Sequence, residues 1–423
     1  MTSLVDAPTS ATAANPAVAL ECKNCHHRQP LAPVHVCPEC WAPVEVVYDD
    51  EALRRWTRAD VEAGPQTLWR YAGWLPAGHD PVHRVDIGTG MSRLVKADRL
   101  AAELGMKTLW IKDESGNPTH SFKDRVVSLA LSAAREYGYQ TVACASTGNL
   151  AQSVAAHAAA VGLRSVVLIP HDLEDGKTVS TAVYGGTLVA VEGSYDDVNR
   201  LCSEIAGEEH WAFVNVNVRP FYAEGSKTIG FEVAEQLGWR LPEQVVVPMA
   251  SGSLLTKIDK AFSELGRNGF VEPTPCRVFG AQPDGCSPIA AAFVAGEDDV
   301  TPVRPSTIAK SLAIGNPADG PYALQVVRRT GGAAASVSDD EVVEGMRLIA
   351  RTEGIFAETA GGVTVSVLRK LLAAGQLDPD AETVLFNTGD GLKTLDAVVG
   401  FAKPTATIKP SYRAFEAAGL GSG

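Results

Sequence analysis

The sequence predicts an α/β protein whose parallel sheets carry helices on both faces, preceded by a zinc-ribbon-like module. Two observations carry this reading. Apolar β-branched runs recur, each followed by a Gly-rich or polar turn and then a helical stretch: "TVACA" leads into "STGNLAQSVAAHAAAVG", "RSVVLIP" into "DGKTVSTAVYGG", "WAFVNV" into "AEGSKTIGFEVAEQLG" and "QVVVPMA" into "SGSLLTKIDKAFSELG". Ahead of them, "CKNCHHRQPLAPVHVCPEC" sets two C-x-x-C pairs eleven residues apart. Ligands of such sheets gather at the carboxyl ends of the strands.

Taken in order, residues 1–20 lack the basic start and apolar core of a signal peptide and are expected to form a disordered tail. Residues 21–50 form the ribbon, in which two tight turns offer the thiolates of Cys22, Cys25, Cys37 and Cys40 to one tetrahedral ion. Four thiolates leave no open coordination position, so a zinc ion there is structural. A disulfide pair, or a site that has lost its metal, are the alternatives, and His26, His27 and His35 are bystanders. The aromatic stretch "TLWRYAGWLP" is expected to pack one domain onto another. Glu297 to Pro305 reads as a surface loop, and 401–423 as a loosely packed extension.

A chain of 423 residues can bury a large core, and its net charge of −13 argues against nucleic-acid or membrane-surface partners, which need a basic face. No apolar run approaches the roughly 18 residues of a membrane span. The scattered Cys144, Cys202, Cys276 and Cys286 fit a reducing cytoplasm. A small-molecule partner is expected. Two motifs fail on inspection. "GTGMSR" has Arg93 where a dinucleotide fingerprint needs glycine, and "GKT" at Gly176 has His171 where a nucleotide loop needs its first glycine.

What remains is a set of strand-to-helix turns. "NPTHSFKDR" places Lys123 after turn-forming residues and at the start of an apolar-periodic helix. A lone lysine is usually a solvated charge, but a helix start disfavours a cation and so favours the free amine that attacks a carbonyl to form a Schiff base. Ser251, Gly252 and Ser253 follow the buried run "VVVPM" and open a helix, which makes either a phosphate cradle or a simple capped turn. "STGN" (Ser146 to Asn149) and "NTGDGLK" (Asn387 to Lys393) add further donors. Together these turns describe a site for pyridoxal phosphate: Lys123 for the aldehyde, Ser251 to Ser253 for the phosphate, an amide such as Asn149 for the ring hydroxyl, and Thr388 for the ring nitrogen. Asp390, two residues on, is the other candidate for the ring nitrogen.

From about Cys22 to Thr394 the chain resembles the fold type II pyridoxal-phosphate enzymes, the tryptophan-synthase-β-like group. The ribbon, "LWRY", "KDESGNPTHSFKDR", "ASTGN", "PMASGSLLTKI", "SLAIGNPADG", "EGIFAETAGG" and "NTGDGLKT" carry the resemblance. It implies two doubly wound open sheets, a large cofactor-binding domain (51–125 and 215–400), a small mobile domain (126–214) and a homodimer. It also implies that Lys123 binds the cofactor covalently, Phe122 stacks near its ring, Asn149 meets its 3′-oxygen, Thr388 faces the pyridine nitrogen, and Gly252 and Ser253 with Ser251 and Leu254 hold its phosphate. The chain departs from the group in "GMSRL" (Gly90 to Leu94), and Asp390 stands where His or Asn is usual. The implied reaction turns O-phospho-L-homoserine and water into L-threonine and phosphate, with dehydration of serine or threonine, or β-replacement such as cysteate synthesis, as rivals on the same scaffold. A ribbon-bearing interaction protein with a degenerate enzyme body is the reading from another class. Ser146, Thr147, Asn217, Arg219 and Lys227 are the candidates for the amino-acid substrate and its phosphate, with Lys310 and Ser311 as further possibilities; Arg219 offers a bidentate fork. His120 reads as a proton relay or a turn residue, and Glu358 as a cavity residue or a helix cap.

Overall fold

The computed structural model describes residues 15–146, 148–171, 175–192, 195–400 and 403–420. Its first sheet is antiparallel, in the order β2-β1-β3, from β1 (Ala17–Cys22), β2 (Arg28–Gln29) and β3 (Val44–Tyr48). This places residues 17–20, expected in a tail, within the module and moves its boundary ahead of residue 21. Residues from Ala17 onward pair with Val44–Tyr48 and bury Ala17, Leu20 and Cys22 against Val44 and Val46. Spaced apolar residues in "AVALEC" found a partner strand that composition alone does not reveal. Residues 1–14 lie outside the described residues.

Next come β4 (Arg93–Lys96) and β5 (Leu109–Asp113), an antiparallel pair. A separate parallel sheet, β8-β7-β6-β9, is drawn from β6 (Thr141–Ala145), β7 (Arg164–Pro170), β8 (Thr187–Val191) and β9 (Ala212–Phe213). Then β10 (Gln244–Pro248), β11 (Arg277–Pro283), β12 (Ala334–Val337) and β13 (Thr383–Asn387) join the first pair in a six-stranded sheet ordered β12-β11-β10-β13-β5-β4. Only β4 runs antiparallel there. Every residue of β10 and β13 is buried, which is why these strands read as continuous apolar runs without alternation. The fold is therefore α/β with two wound sheets behind a cysteine-bearing module. No helix among the described residues is long and apolar enough to cross a membrane.

The segment Leu68–Trp74 joins the two sheets. Leu68, Trp69 and Ala72 enter the core beside the four-stranded sheet with Val126 and Val142, while Tyr71 and Trp74 enter the core of the larger unit with Phe231 and Ile258. The described part of the C-terminal extension, including the helix Tyr412–Ala417, buries no residue.

One buried ionic cluster fixes the large unit around the lysine turn. The guanidinium of Arg125 bonds Glu114 (Nε, 2.6 Å; Nη2, 2.9 Å) and Glu232 (Nη1, 2.5 Å; Nη2, 2.7 Å). Lys112 adds a second cation, 2.7 Å from Glu232. All four side chains are fully buried. Two cations against two carboxylates leave no net charge, which is the condition for burying them. Burial pushes the Glu232 carboxyl up, but Arg125 and Lys112 outweigh it and hold the group at about 2, against an ordinary 4.5. A depressed folded-state value means that its contribution is fully present above pH 4.5 and is lost as pH falls through about 2. Glu232→Gln should lower stability by about 3–5 kcal/mol, because it leaves a buried positive charge unbalanced. Urea midpoints measured between neutral pH and pH 2 should also show a flatter acid limb in this variant. An unchanged midpoint at pH 7 would contradict the anchoring role.

Candidate active site

The lysine turn begins where β5 ends. Asp113 caps the single turn Glu114–Gly116, Asn117 donates to the Glu114 carbonyl (3.0 Å) and carboxylate (2.8 Å), and the Thr119 amide and hydroxyl bond Asp124 at 2.7 and 2.5 Å. These bonds deliver the chain to Phe122, and Lys123 opens the helix Lys123–Glu136. The Lys123 Nζ donates to the Tyr222 hydroxyl at 2.9 Å and lies 4.5 Å from the centroid of the Phe122 ring. Among the described residues no carboxylate stands within ion-pair distance of it. His120 has a left-handed backbone (φ 63°), and its exposed ring approaches the Ser115 carbonyl at 3.4 Å.

Three stretches of chain lie side by side here. The Phe122 amide bonds the Thr388 carbonyl, Asp390 N–H bonds the His120 carbonyl, and Glu358 N–H bonds the Gly389 carbonyl, each at 3.0 Å. Thr388 and Glu358 are thereby held beside Lys123. The Glu358 carboxylate accepts from Asn149 Nδ2 at 2.9 Å and from the Thr388 hydroxyl at 3.0 Å, so it joins the two residues expected at the ring's polar edge. Burial pushes its carboxyl up, despite the hydrogen bonds from Asn149 and Thr388. Its side chain does not cap the helix Thr359–Ala373 that follows. Asp390 turns away instead and caps the next turn through the Leu392 amide at 2.8 Å.

The third part follows β10. Gly252 takes φ +88°, and a Cβ there would lie 2.8 Å from the Asp319 carbonyl and 2.9 Å from Ala323 Cβ, so only glycine fits. It opens the helix Ser253–Arg267, whose first turn has no side-chain cap. The amides of Ser253 and Leu254 thus begin a 15-residue helix as anion donors, apart from a long 3.4 Å contact between Ser253 N–H and Ser251 Oγ.

The proposed substrate residues fare unevenly. Arg219 stands beside this helix start but pairs with buried Asp319 at 2.6 Å, and Lys23 of the cysteine module pairs with the same carboxylate at 3.1 Å. Ser146 accepts the Gly148 and Ala151 amides and so caps the helix Asn149–Val161. Asn217 closes the turn after β9, bonding Trp211 and Phe213 backbone atoms at 2.9 and 2.8 Å. Lys227 is placed outside the cleft: fully buried, it pairs with Glu224 (2.9 Å) and Glu264 (2.8 Å) beneath the Tyr48 ring. Glu224 stands in "EGSKT" itself, three residues before the lysine, but Glu264 comes from the helix Ser253–Arg267 and Tyr48 from β3, so the motif alone gave no sign that Lys227 is enclosed. Lys310 and Ser311 are exposed, and Thr147 lies outside the described residues. Tyr222 and Asp319 escaped the sequence reading, because neither sits in a strand-to-helix turn.

In the N-terminal module the sulfurs of Cys22 and Cys40 are 3.4 Å apart, Cys25 and Cys37 3.6 Å, and Cys25 and Cys40 3.5 Å. All four fall within 4.8 Å of one another. A tetrahedral ion bound at about 2.3 Å would separate its sulfurs by about 3.8 Å, whereas a disulfide brings them to about 2.05 Å. The cluster is therefore suited to one metal ion.

A lysine amine without an acid partner, an uncapped helix start and a Thr–Glu–Asn edge, all at the ends of parallel strands, are the requirements of a vitamin-B6 enzyme of the wound-sheet type. The family model described as "Pyridoxal-phosphate dependent enzyme" matches residues 85–389, and the chain belongs to that family. Its relatives include the threonine synthase of Methanocaldococcus jannaschii, 37% identical over 86% of this chain and 90% of that protein. The threonine synthase of Methanosarcina acetivorans is 34% identical over 92% and 95%. Among solved structures, diaminopropionate ammonia lyase from Escherichia coli superimposes with a TM-score of 0.64 at 20% identity, covering 81% of this chain and 91% of that one. The processed threonine deaminase isoform 2 from Solanum lycopersicum does so with 0.63 at 18% identity, covering 89% and 99%. These two likenesses concern the fold. The chain's own atoms also fit the cofactor: the Ser121 hydroxyl is buried beside the lysine turn without a partner among the described residues, and the Gly252 helix start has no side-chain cap.

Replacing Cys22 and Cys25 together by serine should release one metal ion per chain, read by elemental analysis of protein purified without chelators. Unmodified protein free of metal would make the cluster a relic.

Proposed function

We infer that this chain is a threonine synthase, a pyridoxal-phosphate-dependent lyase that converts O-phospho-L-homoserine and water to L-threonine and phosphate. The observation that carries the inference is the Lys123 amine, which has no acid partner among the described residues, beside the Asn149–Glu358–Thr388 edge, with the Gly252 helix start at the carboxyl end of β10 as the phosphate cradle. The relatives of that name, which match the chain over most of its length, support it. Bound pyridoxal phosphate supplies an aldehyde that captures amines and a ring that delocalises the electron pair left at the substrate's Cα.

The chain's residues do the rest. Lys123 would hold the cofactor's aldehyde, and its Nζ is the base that would take the substrate's Cα proton and later return it. Asn149 orients the ring through its hydroxyl edge, Thr388 meets the ring nitrogen, and Phe122 flanks the ring. Ser251, Gly252, Ser253 and Leu254 bind the cofactor phosphate. Arg219 and Lys23 share the single carboxylate of Asp319, which leaves one positive charge in surplus beside the cradle for the substrate's phosphate. Ser146 and Thr147 are the residues proposed to meet the amino-acid part of the substrate. Zinc is the metal proposed for the four thiolates. The reading also includes a mobile small domain (126–214) and a cytoplasmic homodimer.

Lys123→Ala should abolish the visible absorbance of the lysine-bound cofactor and nearly all turnover while the far-UV circular dichroism is kept. Full activity in that variant would remove the central claim. Incubation with O-phospho-L-homoserine should release threonine and phosphate in equal amounts. A 2-oxo acid with ammonia would instead make the protein a dehydratase. Asp390→Asn should retain most threonine formation and Thr388→Val should lose most of it, since Asp390 is occupied as a turn cap; the reverse pattern would reassign the ring nitrogen to Asp390.

A further inference from the structure

We propose that Tyr222 is a further catalytic residue: its hydroxyl receives the Lys123 amine whenever that amine is not joined to the cofactor. The proposal rests on the reading of Lys123 given above. The contact is direct, Nζ to hydroxyl at 2.9 Å, with the amine also 5.5 Å from the centroid of the Tyr222 ring.

The position is fixed by the helix that carries it, Arg219–Gly225. At one end Arg219 is tied to Asp319. At the other, Glu224 is buried and accepts from Tyr48 and Lys257, each at 2.6 Å, and from Lys260 at 2.8 Å. Between this helix and the lysine helix the backbones touch: a Cβ on Gly225 would stand 2.5 Å from the Arg125 carbonyl oxygen and 2.6 Å from Val126 Cα. Tyr222 is one turn before that crossing on its helix, and Lys123 is just before it on the other. Arg125 is itself locked by Glu114 and Glu232. Both members of the contact are therefore placed by rigid neighbours and not by their own side-chain freedom.

The chemistry calls for such a partner. When the substrate's amine has displaced Lys123, the freed amine must stay close to the substrate's Cα. It takes the Cα proton: the C–H bond breaks, an N–H bond forms, and the electron pair remains on the substrate carbon for the cofactor ring to delocalise. A hydroxyl serves both forms of the lysine, accepting from the ammonium and donating to the lone pair of the neutral amine. A carboxylate at the same distance would favour the charged, unreactive form. Tyr222 keeps its own proton throughout.

Tyr222→Phe retains the ring against the lysine and removes only the hydroxyl. In the holoenzyme, borohydride reduction and peptide mapping should still find the cofactor on Lys123, and cofactor affinity should stay within about threefold. Exchange of the substrate's Cα hydrogen with deuterium from solvent, followed by NMR, should slow about ten- to a hundredfold, the scale of one lost hydrogen bond to a charged group. The turnover number should fall in parallel with little change in KM. An unchanged exchange rate, or a rise in KM with the turnover number intact, would overturn the role of Tyr222 while leaving Lys123 in place. Cofactor mapped to a residue other than Lys123 would overturn the functional reading and this inference with it.

Discussion

A guanidinium that cannot reach water governs much of this molecule. Arg125 is enclosed by Glu114, which follows β5, and by Glu232, on a helix more than a hundred residues later. Neither carboxylate can move without stranding a charge in a medium that penalises it by several kcal/mol. The first turn of the helix Lys123–Glu136 is therefore pinned from two directions, and the lysine at its start inherits that placement. The crossing at Gly225 then sets Tyr222 against the amine. Rigidity is supplied two residues away from the chemistry, and Lys123 itself takes part in no ion pair among the described residues.

The cleft is spanned by a second kind of bond. Asn149 and Gln152 sit one turn apart on the helix after β6, and they reach Glu358 and Lys393 from the larger unit. Both links are polar and hydrogen-bonded, in contrast to the apolar packing that Leu68 to Trp74 provides elsewhere between the same units. Apolar contact at one side and exchangeable hydrogen bonds at the other is an arrangement that a ligand can enter by substituting its own polar atoms for those of Glu358.

The sequence made the strand-to-helix turns legible because their signals are local. A continuous apolar run, a glycine and a helical period lie within fifteen residues of one another at Lys123, Asn149 and Gly252. The cysteine cluster was legible for the same reason. What stayed hidden depends on distant partners. Lys227 resembled a substrate ligand until Glu264 and Tyr48 closed over it. Arg219 had no visible reason to face Asp319, a hundred residues on. Glu358 was readable as a cap or a cavity residue, and only the approach of Asn149 and Thr388 decided between them. The strand at Ala17 was missed because its apolar residues gain meaning only from β3.

The cysteine module is bound to the body more deeply than an appended ribbon need be. Glu45 of β3 shares Lys257 and Lys260 with Glu224, while Glu264 and Glu224 hold Lys227, so three acids balance three bases, two of them buried, across the seam. Were the module lost in one genetic step, two acids would face three bases, and the helix bearing Tyr222 would lie beside that imbalance. The cysteine module thus contributes a charge on which the neighbourhood of the Tyr222 helix draws: without it Lys257 and Lys260 would have to find water in place of Glu45.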